Sequence, residues 1–491
     1  MGDAVNDWLA HRADVSPEGI AIIEATDGTE WTYSELDSAV EETAGKLAAL
    51  GLRGGDHLGM LMETRMDGVV LVHAAMRLGC VLVPLNVRLA APELRRQVDV
   101  TDLSALFCEA ETESVAHEIA GGVPVVSVDP SETTLADRDR AAFTPADWSR
   151  DDPQVFLFTS GTTGNPKAVA LTMGNLYASA TASAFRLGVL PDDRWHLCLS
   201  TYHMGGLAPL LRSTLYGTTV VLQRGFDAEE TLPFLREYEP TGISLVPTML
   251  RRLLDTGDLP DSLRFVLLGG APARNDLIRE CAERGVPVCP TYGMTETASQ
   301  IATATPGEAA SHVGTVGRPL LFTDVAVVDE DGSLVPTGEP GELVVSGATV
   351  MAGYYGNPDA TEEAFGEHGF RTGDVGYRDE GGRLWVLNRR ADRIVTGGEN
   401  VHPGEVVDVL RDHPDVADVA VVGVEDEEWG ERIAALVVPA PGSTVTLDSV
   451  RQFCAGRLAG YKHPRLLDTV AELPRTASGT VDREAVRERF R

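Results

Sequence analysis

Short apolar runs recur along the first two thirds of the chain, at 57–62, 80–85, 155–159, 218–222, 243–246, 265–268 and 286–290. Each is too short for a helix and is bounded by turn residues, so each is predicted to be a strand. Between them, apolar residues return at helical spacing. This predicts helices over 33–50, with Thr32 as the N-cap, over 66–78 and over 173–186. Such alternation implies α/β layers with largely parallel sheets. The longest apolar stretch, 68–85, is interrupted by His73 and Arg77 and reads as a helix followed by a buried strand, not as a membrane span. From about Val325 the texture changes: turns such as Thr337-Gly338-Glu339-Pro340-Gly341 separate short alternating strands, which marks a small β-rich unit. The residues after Arg389 read as α+β. The expected architecture is α/β: a large N-terminal domain, 1–388, of layered α/β subdomains plus the β-rich unit, and a small mobile α+β C-terminal domain, 389–491.

Composition narrows the function. A 491-residue chain that is 43% apolar is globular and long enough for several subdomains. The first residues lack the basic and apolar segments of a signal peptide. Cys80, Cys108, Cys198, Cys281, Cys289 and Cys454 are too scattered for a metal or redox motif, and are expected to be reduced core thiols of a cytoplasmic protein. The charge is the unusual feature: 74 acidic against 41 basic residues, a net −33, with lysine only at positions 46, 167 and 462. An acidic excess spread along the whole chain excludes nucleic acid and anionic membranes as partners. It also suggests a saline cytoplasm, the alternative being a merely acidic protein. A homo-oligomer is left open.

The chemistry concentrates in Thr159-Ser160-Gly161-Thr162-Thr163-Gly164-Asn165-Pro166-Lys167, directly after a predicted strand. Glycines permit close backbone approach, while amides and hydroxyls can donate to phosphate oxygens. The spacing to Lys167 is not that of a Walker A loop. The other reading is a flexible polar surface loop, but one of only three lysines ends it.

This run resembles the signature of the adenylate-forming superfamily, which includes acyl-CoA synthetases, peptide-synthetase adenylation domains and luciferases. Further matches follow in order: Thr291-Tyr292-Gly293-Met294-Thr295-Glu296, Arg371-Thr372-Gly373-Asp374, Arg389-Arg390-Ala391-Asp392-Arg393-Ile394, Gly397-Gly398-Glu399-Asn400 with Pro403 and Glu405, and Pro474-Arg475-Thr476-Ala477-Ser478-Gly479. The resemblance implies activation of a carboxylic acid by ATP and Mg²⁺, followed by transfer to coenzyme A as co-substrate. Lys167, His203, Thr295 and Glu296 would be the catalytic set. Glu296 would hold Mg²⁺, Thr295 would donate to the α-phosphate, and Asp374 would accept the ribose hydroxyls. Arg389 would contact the ribose or phosphate, and Gly270 and Ala271 would flank the adenine. Gly397 and Gly398 would line the pantetheine channel. His203 and Gly206 would shape the acyl pocket.

Within the superfamily, the residues from His203 to Gly217 and from Gly293 to Gln300 resemble the o-succinylbenzoate–CoA ligase branch of menaquinone synthesis. That substrate is a dicarboxylate, so Arg212 and Ser299 become candidates for holding the carboxylate that does not react. Arg212 could equally be a helix-surface charge. Other readings remain open: another short-chain, dicarboxylic or aryl acyl-CoA synthetase, a stand-alone adenylation domain, or a protein that only binds nucleotide. One departure stands out. The family's last motif ends in lysine, and here Thr480 follows Gly479. Lys462, Arg475 and Arg483 are candidate substitutes for that cation.

Overall fold

The computed structural model describes residues 4–5, 7–160, 166–271, 273–389, 394–401, 403–474 and 481–491, leaving aside the side chains of residues 4, 5, 160, 388 and 389. The chain divides into two compact units. The first comprises Met1–Val87, Val100–Phe158 and Ala168–Asn388, and the second Arg88–Asp99, Thr159–Lys167 and Arg389–Arg491.

Helix starts and stops follow local chemistry. In Tyr33–Ala49, the Thr32 hydroxyl accepts from the Glu35 amide and the Glu35 carboxylate accepts from the Thr32 amide, a reciprocal cap. Met66–Leu78 ends at Gly79, whose φ of +87° is left-handed. The interruptions at His73 and Arg77 do not face water. Both are buried, and Arg77 is held by Asp7 at 2.8 Å and Asp37 at 2.5 Å. A buried cation is tolerated because carboxylates surround it. No described helix is long and apolar enough to cross a membrane. All six cysteines are buried and free.

The predicted parallel strands are present. In a seven-stranded sheet, Pro153–Ser160, Val81–Pro84, His57–Leu61, Leu103–Cys108 and Val125–Ser127 run parallel. In a nine-stranded sheet, Val288–Met294, Phe265–Leu268, Gly242–Leu245, Arg194–Leu197, Thr219–Leu222 and Ile20–Glu24 run parallel. The edges of that sheet are antiparallel. Ser299–Thr303 folds back on Val288–Met294 and Glu30–Thr32 on Ile20–Glu24. A five-stranded sheet built from Thr323–Val328, Gly341–Gly347, Gly369–Arg378, Phe365–Gly366 and Leu384–Arg389 is the β-rich unit. The largest core joins Tyr33, Leu36, Val40 and Leu47 to Leu58, Met60 and the helix Met66–Leu78.

The second unit has its own sheet and core. Val416–Asp426 and Gly430–Pro439 form a long hairpin, with Leu466–Thr469 parallel to it and the helix Pro403–Arg411 packed against it. Ile394, Val406, Val421, Ile433 and Leu458 are buried together. The segment Arg88–Asp99 belongs to this unit. Lys462 sits between Glu93 and Glu405, at 2.6 Å from each. Arg88 reaches Glu399 at 2.7 Å and lies over the Tyr461 ring. Burial alone would discourage the Lys462 charge, but the two carboxylates outweigh it and raise its pKa.

Candidate functional site

In the first unit the chemistry gathers on the hairpin of Val288–Met294 and Ser299–Thr303. Its register slips between Tyr292 and Gly293, so Tyr292 faces Ala302 while Gly293 faces Gln300 and Met294 faces Ser299. The 3₁₀ turn Thr295–Thr297 between the strands presents Glu296. Two non-glycine residues after it, Ala298 and Ser299, have φ of +51° and +108°. Such backbone is strained and persists only where its surroundings impose it. Here the Ser179 hydroxyl donates to the Ala298 carbonyl at 2.6 Å, and the Met351 amide donates to the Glu296 carbonyl at 2.8 Å. Glycine is obligatory at 293, because a Cβ there would lie 1.6 Å from the Ser299 carbonyl oxygen.

Thr295 and Glu296 are half-buried on this turn. The Tyr354 hydroxyl donates to Glu296 at 3.3 Å. Burial, and then the Glu296 charge, push the Tyr354 pKa far up, so it stays a donor. Asp374 is 2% exposed and accepts from the Tyr292 hydroxyl at 2.7 Å. Its backbone is fixed by Thr372, whose hydroxyl receives the Asp374 amide at 3.0 Å and donates to Leu343 at 2.7 Å. Gly270, with φ of +76°, and half-buried Ala271 follow the strand Phe265–Leu268. Thr291 lies against the preceding Gly269, where a Cβ would be 2.6 Å from its Cγ2, but its hydroxyl is committed to the Ala302 carbonyl at 3.0 Å and to Thr303 at 2.8 Å.

His203 is the N-cap of the helix Met204–Tyr216, makes no side-chain cap bond and is exposed. Its ring meets Tyr202 edge-on at 4.9 Å. Gly206 brings the first turn of this helix onto the preceding loop, where a Cβ would be 2.4 Å from the Ser200 carbonyl oxygen. Arg212, on the same helix, is buried at 4% exposure and is not a surface charge. Its Nη1 donates to Ser183 and to the Gln300 Oε1, each at 3.1 Å, and its guanidinium lies 4.4 Å from the Trp195 ring centroid. Among the described residues no carboxylate pairs with it, and its Nε has no hydrogen-bond partner. Burial accordingly pulls its pKa down. Arg212, Ser179, Met204, Leu211 and Ala298 line one small cavity. Arg212 is thus an uncompensated cation at an apolar cavity, beside the turn that carries Glu296 and Ser299.

In the second unit, Lys167 is half-buried on the strand Pro166–Thr172, and Thr159 lies near the end of Pro153–Ser160. Gly397 and Gly398, at φ of +57° and +81°, make the turn between Ile394–Thr396 and Glu399–Val401. The Gly397 amide donates to Trp429 at 2.8 Å. The Ser160 and Arg389 side chains, Gly161, Thr162, Thr163 and Gly164, Pro272, and Arg475 and Thr480 lie outside the described residues. Lys462 is engaged by Glu93 and Glu405, so the unit's own carboxylates hold this candidate substitute cation.

Sequence reasoning missed Ser183, Trp195, Gln300 and Tyr354. The available signal was Arg212 itself, the only charged residue in the thirteen-residue helix Met204–Tyr216, which needs neutral polar company to be buried.

Residues 9–355 match the AMP-binding enzyme family and residues 405–480 match the AMP-binding enzyme C-terminal domain. The chain is 40% identical over 481 residues to a 2-succinylbenzoate–CoA ligase of Bacillus licheniformis, covering 97% of this chain and 98% of that one. Among solved structures, a double mutant of the o-succinylbenzoate CoA synthetase of Bacillus subtilis, bound with its product analogue, superposes with a TM-score of 0.93 at 37% identity, covering 98% of each chain. The same enzyme in complex with ATP and magnesium ion gives 0.76, at 37% identity, covering 98% of this chain and 99% of that one.

Proposed function

The chain belongs to the AMP-binding enzyme family, and from that membership we propose that it is an ATP-dependent, AMP-forming acid–CoA ligase acting on 2-succinylbenzoate. The observation that carries the substrate is Arg212. A buried guanidinium without a carboxylate, at a cavity beside the Glu296 turn, suits an acid that brings a second carboxylate with it. Ser299 adds a hydroxyl at the same turn. The relatives' ligase activity and their ATP and magnesium complex support the same reading.

In this reading one carboxylate oxygen attacks the α-phosphorus of ATP and pyrophosphate leaves. The CoA thiol then attacks the acyl carbon and AMP leaves. The protein's share is positioning and charge stabilisation. Lys167 and the 159–164 segment meet the phosphates, Thr295 donates to the α-phosphate, and Asp374 accepts the ribose hydroxyls. Arg389 contacts the ribose or phosphate. Gly270, Ala271, Thr291, Tyr292 and Gly293 form the adenine side, with Tyr292 also orienting Asp374. His203 and Gly206 bound the acyl pocket, and Gly397 and Gly398 the pantetheine. The Glu296 carboxylate is a hard oxygen ligand on a half-buried turn, which fits Mg²⁺; the ion would neutralise phosphate charge there. The residues after Arg389 form the mobile small domain. The place of action is the cytoplasm, in menaquinone synthesis, and the acidic surface is an adaptation to salt.

A panel of acids read by pyrophosphate release tests the substrate. 2-Succinylbenzoate should give the highest kcat/KM, and faster turnover of malonate, benzoate or coumarate would overturn the assignment.

A further inference from the structure

Gln300 meets Arg212 in a way that its neighbours determine. The Gln300 Nε2 donates to the Thr303 hydroxyl at 2.8 Å, Thr303 and Thr291 share a bond of 2.8 Å, and the Thr291 hydroxyl donates to the Ala302 carbonyl at 3.0 Å. A main-chain carbonyl can only accept, so the chain of donors runs one way, from Gln300 through Thr303 and Thr291 to Ala302. The amide of Gln300 therefore cannot flip, and its Oε1 must face Arg212, where it accepts at 3.1 Å. Gln300 and Thr303 are 2% and 0% exposed, so no solvent competes for these bonds.

The other partners of Arg212 are also neutral: the Ser183 hydroxyl and the face of Trp195. A ring face and neutral oxygens make burial of a cation tolerable without cancelling its charge. A carboxylate at position 300 would cancel it. We propose that Gln300 is a specificity-positioning residue: an amide oxygen fixes the guanidinium of Arg212 and leaves its charge for the second carboxylate of the substrate. This rests on the dicarboxylate reading above.

The test compares wild type, Gln300→Glu, Gln300→Met and Arg212→Ala on two acids, 2-succinylbenzoate and 4-oxo-4-phenylbutanoate, which lacks the ring carboxylate. Pyrophosphate release supplies kcat and KM separately. In Gln300→Glu the new carboxylate pairs with Arg212. The preference for the diacid should then fall on the order of 10²-fold, mainly through KM, as when a buried charge loses its partner across an interface. Gln300→Met, of similar volume and uncharged, removes only the acceptor that fixes the guanidinium, so the preference should fall less than in Gln300→Glu, by on the order of 10-fold, and it serves if the Glu variant does not fold. An unchanged preference in Gln300→Met would overturn the proposal. So would an unchanged preference in Gln300→Glu alongside a collapse in Arg212→Ala, and there the dicarboxylate reading itself would stand. An unchanged preference in Arg212→Ala would sink that reading along with the proposal.

Discussion

Replacing Lys167 by alanine or Glu296 by glutamine removes one charge from the proposed phosphate chemistry while leaving the strand and the 3₁₀ turn that carry them. Each substitution should lower ATP–pyrophosphate exchange by on the order of 10²-fold, the usual effect of losing one preorganised charge-stabilising group. Rates near wild type in both variants would show that these residues do not face the phosphates. Tyr354 donates to Glu296 and stays protonated at any workable pH, so Glu296→Gln keeps a hydroxyl partner and the loss reports the charge. Lys462 behaves differently. With both flanking carboxylates at 2.6 Å it is held as a cation of the second unit's own ion-pair network.

At the scale of elements, the hairpin Val288–Thr303 depends on a missing side chain. Gly293→Ala would drive a methyl group into the Ser299 carbonyl, and the backbone at Ala298 and Ser299 is already left-handed. The variant should lose more than ~3 kcal/mol of stability in urea unfolding or fail to fold, as strain at a special backbone position does; a loss under ~1 kcal/mol would mean that the turn relaxes easily. On the strand Arg194–Leu197, His196 is fully buried with its Nε2 on Gln223 at 2.8 Å. Burial pulls its pKa down to about 4 from an ordinary 6.5, only partly opposed by Gln223. A depressed folded value means that the unfolded chain takes up the proton first. The stabilisation is whole above pH 6.5 and is lost as pH falls towards 4, by ~3 kcal/mol in all. Between pH 7 and 5 the melting temperature of His196→Leu should therefore fall less than that of wild type. Gln223 keeps Thr231 as a donor in that variant, so the comparison isolates the titration. Equal falls would show that His196 carries no proton-linked stability.

The same elements show what could be read from residue order. The parallel strands were legible because runs such as Phe265–Leu268 are apolar on both faces, and the helix Tyr33–Ala49 because Thr32 and Glu35 announce its start. The return strand Ser299–Thr303 was not, because its sequence Ser-Gln-Ile-Ala-Thr is neither an apolar run nor an alternation, although all but Ser299 are buried. The burial of Arg212 was not legible either: its partners lie 29 and 88 residues away. The motif residues Glu296, Tyr292 and Asp374 were singled out from motif order alone, and the Tyr292–Asp374 bond, spanning 82 residues, has no local pattern to signal it.

At the scale of the whole molecule, charge dominates. A net −33 sets most of the surface against ATP, CoA and any dicarboxylate, and sets the surface against itself. Screening shortens from about 30 Å at 0.01 M salt to about 3 Å at 1 M. The melting temperature should therefore rise as KCl goes from tens of millimolar to molar. A flat or falling curve would mean that the acidic surface is not an adaptation to salt. The segment Arg88–Asp99 is tied into the second unit by Glu93 and Arg88, and that unit takes residues from three separate stretches of chain. The central claim, that this member of the AMP-binding enzyme family joins 2-succinylbenzoate to CoA, is tested most directly by the products. Mass spectrometry of a reaction holding only the protein, 2-succinylbenzoate, ATP, Mg²⁺ and CoA should show 2-succinylbenzoyl-CoA, AMP and pyrophosphate in equal amounts. Formation of ADP and phosphate, or of AMP without any thioester, would contradict it.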